Sequence, residues 1–445
     1  MFEALKHNPF IDRLLRRVPP FYGRAMKQLN SFEAMDFTAR SAHHDEALQA
    51  VLARARKLPG YPGAPASDCL QDWPILTKQH LLGRERLYAV KGLAPRPSGE
   101  TGGTTGQPLK VKRTLKNIVF EQAVVDHLCA TRGVNAATAR IAVLRGNSIP
   151  DGPGGKSIHW IDEGQRKRIY NAHRLGPETA QLYIESMREY APDILFCYPS
   201  ALATLAANAN RLDGLRIPLI YSSSEVLQTE TAERARDVFG ADILDFYGHA
   251  ERIACAWSLN GGGFRFLGSY GHIELMPCGD GRARIIATSL DPNGQIFVRY
   301  DTGDIAVTGT EDRQTLQRMA LGLLPFHGIE GRDNEFIELH DGRRVIGLNH
   351  IPRGATGAMR VQLHHAAENL VDIYVTPGPD FGPATLDTIS TNFYAKLPAH
   401  VEARFWTVDK PVTETNGKAP LLLRRPAVPA ARSRLSHSVP VEEAA

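Results

Sequence analysis

The segment Thr101-Gly102-Gly103-Thr104-Thr105-Gly106-Gln107-Pro108 puts three glycines and three threonines into six residues. Glycine lets consecutive backbone N–H groups turn toward one point with no Cβ in the way. Threonine hydroxyls add donors and acceptors, so such a loop suits a polyphosphate. A Walker-type loop would end in Gly-Lys-Ser/Thr. Here Gly106 is followed by Gln107-Pro108, which points to a nucleoside triphosphate held without that fold. Taken alone, the segment also fits a Gly/Thr-rich surface turn.

Downstream, short apolar runs alternate with helical patterns. Pro177 to Tyr190, Ala201 to Leu212 and Thr229 to Phe239 read as helices. Asp193 to Cys197, Pro218 to Tyr221 and Ile243 to Phe246 read as strands. This alternation predicts an α/β fold with a parallel, doubly wound sheet. Ligands of such sheets bind beyond the carboxyl ends of the strands. Three of those ends carry polar or aromatic residues, at Tyr198-Pro199-Ser200, Ser222-Ser223-Ser224-Glu225 and Tyr247-Gly248. Before the loop, residues 1–80 read as helical, and Pro19-Pro20 is expected to end the first helix. Lys110 to Thr114 and Ala139 to Leu144 read as strands, with a helix from Asn117 to Arg132. The Gly/Pro/Asp-rich stretch Ser148 to Gly164 reads as loop. Residues 261–312 turn to β character, and 334–425 form their own β-α pattern. Residues 427–445 are expected to be a disordered tail.

With 445 residues, 43% of them hydrophobic and 22% charged, the chain has room for two or three domains. A net charge of +4 is too small for so long a chain to argue for nucleic acid or an anionic membrane as partner. Five scattered cysteines without a CxxC pair give no disulfide framework and no zinc ribbon. The start, Met-Phe-Glu-Ala-Leu-Lys, has no signal-peptide pattern, and no apolar run approaches membrane-spanning length. The expectation is a soluble cytoplasmic protein with no membrane insertion.

In this order the sequence resembles the adenylate-forming superfamily, and within it the phenylacetate–CoA ligase branch and the CapK-like proteins. The resemblance rests on six motifs besides the Tyr198-Pro199-Ser200 turn. They are the loop 101–108; Ser223-Ser224-Glu225-Val226-Leu227; Tyr247-Gly248-His249-Ala250-Glu251; Arg299-Tyr300-Asp301-Thr302-Gly303-Asp304; Glu330-Gly331-Arg332-Asp333; and Thr415-Asn416-Gly417-Lys418. It implies a large ATP- and acid-binding domain over 1–332 with a β-rich subdomain, and a small mobile α+β domain over 333–426. Arg332 would be the hinge between them.

The resemblance also implies roles. Thr101, Gly102, Gly103, Thr104, Thr105 and Gly106 would hold the β- and γ-phosphates of ATP, with Thr104 counted among the catalytic residues. Glu251 would bind Mg²⁺, Tyr247 and Gly248 would face adenine with Ser224 and Glu225 alongside, and Asp304 would accept from the ribose hydroxyls. Lys418 would reach the α-phosphate. Tyr198, His173 and His249 are candidates for contact with the acid, and Trp160 and Tyr170 for the walls of its pocket or for plain core packing. A surface Glu251 paired with Arg252, and Asp304 capping a turn, are the structural alternatives. The implied activity is AMP-forming activation of a carboxylic acid, followed by transfer to CoA, an amine or a carrier protein. CapK-like amide formation and an inactive nucleotide-binding scaffold are the alternatives. No structural zinc is expected, and a homodimer is compatible with the sequence.

Overall fold

The computed structural model describes residues 15–92, 98–100, 109–145, 149–332, 337–340, 344–345, 348, 351–413, 419–423, 426 and 431–435. The chain divides into two compact units. One joins Met1–Ala137 to Phe246–Arg332, and the other joins Thr138–Asp245 to Asp333–Ala445.

The chain begins in the first unit with α1 (Pro19–Glu33), α2 (Phe37–Ala55) and the short α3 (Lys78–Leu81). Pro19 and Pro20 occupy the first turn of α1, so the pair begins a helix besides following one. That place suits proline, since the first N–H groups of a helix have no intrahelical partner. Asp36 caps α2, accepting from the Ala39 N–H at 2.9 Å. Strands β1 (Ser98–Glu100) and β2 (Lys110–Lys112) then pair antiparallel on either side of the Gly/Thr segment. Helix α4 (Leu115–Ala130) starts from a Thr114–Asn117 capping box.

In the second unit the chain forms β3 (Ile141–Leu144), β4 (Trp160–Asp162), β5 (Lys167–Tyr170), α5 (Pro177–Tyr190), β6 (Ile194–Cys197), α6 (Pro199–Asn208), β7 (Leu219–Ser223) and α7 (Thr229–Phe239). Strands β5, β3, β6 and β7 run parallel, and β4 adds antiparallel to β5. Ser148 to Gly164, expected to be loop, therefore contains a strand. It is only three residues long, and its register against β5 rather than local propensity holds it. Helix α5 buries Ala180, Tyr183, Ile184 and Met187, the spacing of one helix face. Burial of a large apolar side chain of this kind is worth about 1.5–3 kcal/mol. Helix α6 is buried from Pro199 through Ala206 on all sides, which its run of small residues permits.

Strand β8 (Asp242–Gly248) begins in the second unit and ends in the first. There follow the hairpin β9 (Cys255–Leu259) and β10 (Phe264–Phe266), then β11 (His272–Gly279), β12 (Arg282–Thr288), β13 (Tyr300–Val307), α8 (Arg313–Ala320) and β14 (Gly328–Arg332). Strands β11 to β14 make a four-stranded antiparallel sheet, the β-rich part expected over 261–312.

The last segment belongs to the second unit. It contains β15 (Ile337–Glu338), β16 (Arg344–Val345), β17 (Ala358–Ala367), β18 (Leu370–Pro377), α9 (Pro383–Tyr394), β19 (Glu402–Val408), β20 (Leu422–Leu423) and β21 (Ala431–Leu435). Five of these strands form a mixed sheet in the order β20-β17-β18-β19-β21, over a core that includes Ile373, Ile389, Phe393 and Phe405. Residues 431–435 are thus a strand paired with β19, where a disordered tail was expected. The rest of that tail lies outside the described residues. Among the described residues, no helix is long and apolar enough to cross a membrane.

Candidate active site

In the first unit, two strands bring the polar motifs together. Strand β8 ends at Tyr247-Gly248, and a turn leads through His249 to Glu251 before β9. A Cβ at Gly248 would lie 2.7 Å from the Phe246 ring, so only glycine fits there without a shift. Strand β13 opens on Tyr300 and carries Asp304. Its turn is fixed locally: Gly303 has φ 75°, and its N–H donates to Asp301 Oδ1 at 2.9 Å. Thr302 Oγ1 donates to Ile285 O at 2.9 Å and accepts from the Asp304 N–H at 3.1 Å. Arg299, at φ 48°, anchors the strand's start through Glu274 at 3.0 Å and the carbonyls of Gln71 and Trp73.

Tyr247 Oη donates to Asp304 Oδ2 at 2.7 Å. Tyr300 Oη donates to Glu251 Oε1 at 2.9 Å, and His249 Nδ1 lies 3.1 Å from Glu251 Oε2. The side chains of His249 and Glu251 are each only 5% exposed, and Asp304 is buried. Glu251 is therefore not a surface residue paired with Arg252, whose Nε instead faces Glu121 at 3.7 Å. Asp304 receives a tyrosine hydroxyl rather than merely capping a turn. His249 Nε2 is buried with no hydrogen-bond partner among the described residues, an orphaned polar atom that ligand contact would satisfy. A carboxylate offers about four acceptor positions. Tyr300 and His249 orient the Glu251 carboxylate, and carboxylate oxygen is the ligand chemistry a hard cation takes. Among the described residues, no group of three or more His, Cys, Asp or Glu is placed to hold a metal.

In the second unit, the carboxyl edge of the parallel strands carries its own group of motif residues. Tyr198 is the N-cap residue of α6, without a side-chain capping bond. Ser224 has φ 77°, a backbone region that glycine occupies more readily. This strained residue presents Glu225 to the first turn of α6. Glu225 Oε2 accepts from the Ser200 N–H at 2.9 Å, and Oε1 from Ser200 Oγ at 3.2 Å and from the Ala419 N–H at 2.7 Å. Cys197 is fully buried, and burial pushes its thiol up to about 12, so it offers no thiolate nucleophile. His173 sits in a short 3-10 turn, its Nε2 buried without a hydrogen-bond partner among the described residues. Tyr170 is a core residue, 0% exposed, with its hydroxyl on Ser186 at 3.1 Å, and Trp160 packs against that core.

Thr101, Gly102, Gly103, Thr104, Thr105, Gly106 and Lys418 lie outside the described residues. Arg332 closes β14, its backbone opposite Asp304. Sequence reasoning gave no role to Tyr300, although it stands inside the Arg299–Asp304 motif. It also missed Arg145, just beyond β3, whose guanidinium carbon stands 5.1 Å from the Phe196 ring and 5.9 Å from the Tyr221 ring. A lone basic residue ending an apolar strand was the available signal.

No protein-family model and no curated protein matches the sequence. Solved structures do. 2-Hydroxyisobutyryl-CoA ligase in its postadenylation state, in complex with R3-HIB-AMP, is similar over 86% of this chain and 88% of its own, at 15% identity and a TM-score of 0.55. The same ligase with 2-HIB-AMP gives 16% identity, the same coverage and a TM-score of 0.55. The chain shares the mixed α/β fold of that ligase.

Proposed function

We propose that this protein is an ATP-dependent, AMP-forming acid ligase. The observation that carries the reading is the hydrogen-bonded set Tyr247–Asp304 and Tyr300–Glu251–His249, on a fold shared with a ligase solved with R3-HIB-AMP. A carboxylate oxygen of the acid bonds to the α-phosphorus of ATP. The α–β P–O bond breaks, and its electron pair leaves with pyrophosphate. The acyl-AMP then gives its acyl group to an acceptor and releases AMP. The acid supplies its own nucleophile, so the protein's work is positioning and charge stabilisation.

Asp304 accepts from the ribose hydroxyls, with Tyr247 holding its second oxygen in place. Tyr247 and Ser224 flank the base. Glu251, oriented by Tyr300 and His249, would hold Mg²⁺, and the cation would neutralise phosphate charge. His249 Nε2 meets the acid's carboxylate or the α-phosphate, with Tyr198 and His173 on the acid side. The Gly/Thr loop from Thr101 to Gly106 cradles the departing phosphates. Lys418 neutralises the charge that builds at the α-phosphate, and Arg332 is the hinge of the small domain. The motif set supports the phenylacetate–CoA ligase branch, with CoA as acceptor; CapK-like chemistry, with an amine as acceptor, is the second reading. The cysteines among the described residues are free, in keeping with a cytosolic enzyme.

The test is ATP–pyrophosphate exchange with a panel of aryl, alkyl and hydroxy acids. At least one acid should drive exchange. No exchange with any acid, together with no ATP binding, would leave the inactive scaffold as the better account. Product analysis with CoA, an amine and a carrier protein supplied separately then assigns the acceptor.

A further inference from the structure

Arg145 has no role in the site described above. It is the first residue after β3, whose register sets Val143 beside Ile169 of β5 and Phe196 of β6. Phe196 in turn pairs with Tyr221 of β7. Side chains alternate across a strand, so Val143, Phe196 and Tyr221 share one sheet face, and Arg145, two residues past Val143, shares it too. The guanidinium carbon accordingly stands 5.1 Å from the Phe196 ring and 5.9 Å from the Tyr221 ring. Strands β5, β3, β6 and β7 run parallel and end at this edge, the place where ligands of such sheets bind.

Arg145 is half-buried, and its Nε is shut off from solvent with no hydrogen-bond partner among the described residues. A guanidinium stays charged at any ordinary pH. Aromatic faces compensate it in part, but a desolvated cation without a counter-charge is unfavourable. The neighbouring acids do not supply one. Glu225 and Asp245 are the carboxylates whose field reaches the Cys197 thiol together with that of Arg145. Glu225 accepts from the Ser200 N–H and hydroxyl and from the Ala419 N–H, and Arg360 Nη1 stands 3.7 Å from it. Among the described residues, neither acid forms an ion pair with Arg145. Beyond the end of β5, His173 Nε2 is likewise buried without a hydrogen-bond partner among the described residues. Polar atoms left open in this way are what a ligand would satisfy.

We propose that Arg145 is a specificity-determining residue, and that the acid activated by this protein carries a second carboxylate, which pairs with the Arg145 guanidinium. The inference rests on the ligase reading above. Charge selects the second carboxylate over the reacting one. The reacting carboxylate gives up its charge on becoming an acyl-adenylate, which would strand the arginine in mid-reaction. Pairing there would also draw electron density away from the attacking oxygen. A carboxylate remote from the reacting centre keeps its charge through both half-reactions. One guanidinium, with parallel N–H donors, matches one carboxylate in both charge and shape. A phosphate dianion is matched by more positive charge than one arginine brings. Contact with the Phe196 and Tyr221 rings limits the freedom of the guanidinium before the acid arrives, which lowers the cost of orienting it.

The test uses the full chain and acid pairs that differ by one carboxylate: benzoate with isophthalate, butyrate with glutarate, and hexanoate with pimelate. In pyrophosphate exchange, the dicarboxylate of at least one pair should be preferred by about 10–100-fold in kcat/KM. Arg145→Met keeps the apolar stem and removes the charge. In it the ratio of kcat/KM between the two members should fall by the same factor, carried mainly by KM for the dicarboxylate. Arg145→Lys, which restores the charge without the fork, should recover part of the preference. Calorimetry without ATP should show the preferred dicarboxylate binding about 10–100-fold more weakly to Arg145→Met than to the wild type. Preference for the monocarboxylate in every pair, or equal losses for both members in Arg145→Met, would overturn the proposal and leave Arg145 a packing residue. A loss confined to KM for ATP or for the acceptor would give the arginine to a phosphate and overturn it likewise. Neither binding of nor exchange with any of the dicarboxylates would overturn it too. Dicarboxylate binding that depends on Arg145 but drives no exchange would instead keep the anion site and overturn the ligase reading.

Discussion

His44 on α2 and His272 at the start of β11 form a buried pair whose protonation should set the acid stability of the first unit. Their Nδ1 atoms lie 3.0 Å apart, and His44 Nε2 is 2.9 Å from Gly268 O. Burial lowers His44 to about 4 and His272 to about 3, with His43 and Arg40 pushing His44 the same way and His44 pushing His272. The unfolded chain binds these protons near 6.5. The folded state keeps both rings neutral, so their contribution is present above pH 6.5 and is lost as pH falls toward 4. At pH 5 each ring removes about 2 kcal/mol relative to pH 8, and the pair on the order of 2–4 kcal/mol because one hydrogen bond is shared. Urea unfolding at pH 8, 7, 6 and 5, followed by tryptophan fluorescence, measures this. The double variant His44→Gln/His272→Asn should lose that much less stability between pH 8 and pH 5 than the wild type does. Identical pH slopes in the two proteins would refute the linkage, as would a wild type that gains stability on acidification.

Three further outcomes follow from the site. Tyr300→Phe removes the hydroxyl that donates to buried Glu251, an interaction worth about 1.5–3 kcal/mol; pyrophosphate exchange should drop by about 10–100-fold at saturating ATP, and an unchanged rate would separate Tyr300 from the chemistry. Ser224→Gly relieves the positive-φ strain and should raise stability by about 1 kcal/mol, read as a higher melting temperature; a lower one would contradict the strain. Lys418→Ala should abolish adenylation while leaving ATP binding measurable by calorimetry, since the lysine acts mainly on the transition state; undiminished exchange would remove it from the mechanism.

Much of the second unit was legible because its elements are locally consistent. Helices α5 and α7 have the limits expected from the sequence, each with clear ends: Pro177 at the start of one, Gly240 at φ 63° closing the other. Strand β8 runs two residues further than its apolar run, so Tyr247-Gly248 belongs to the strand and not to the loop after it. Short strands were illegible where pairing makes them. Trp160–Asp162 exists through its register with β5, and Ala431–Leu435 through its register with β19. Neither segment has an alternation long enough to stand out. Tyr170 could be read as a pocket wall or as core from sequence alone, and its complete burial decides for core. The positive φ of Ser224 was equally hidden, because serine gives no local sign of a position better suited to glycine. At the site, the motifs identified the residues that meet, Tyr247 with Asp304 and His249 with Glu251. Which atoms are bonded, and that Tyr300 completes the set, depends on register between strands distant in sequence.

In the proposed reaction the acid's carboxylate attacks the α-phosphorus of ATP. This attack is tested most directly with an acid carrying ¹⁸O in its carboxylate, ATP, and an acceptor that allows turnover. The account predicts one ¹⁸O in the AMP released and none in the pyrophosphate, because the attacking oxygen stays on the α-phosphorus when the acyl group departs. Label in inorganic phosphate with ADP as the nucleotide product, or AMP free of label, would contradict it.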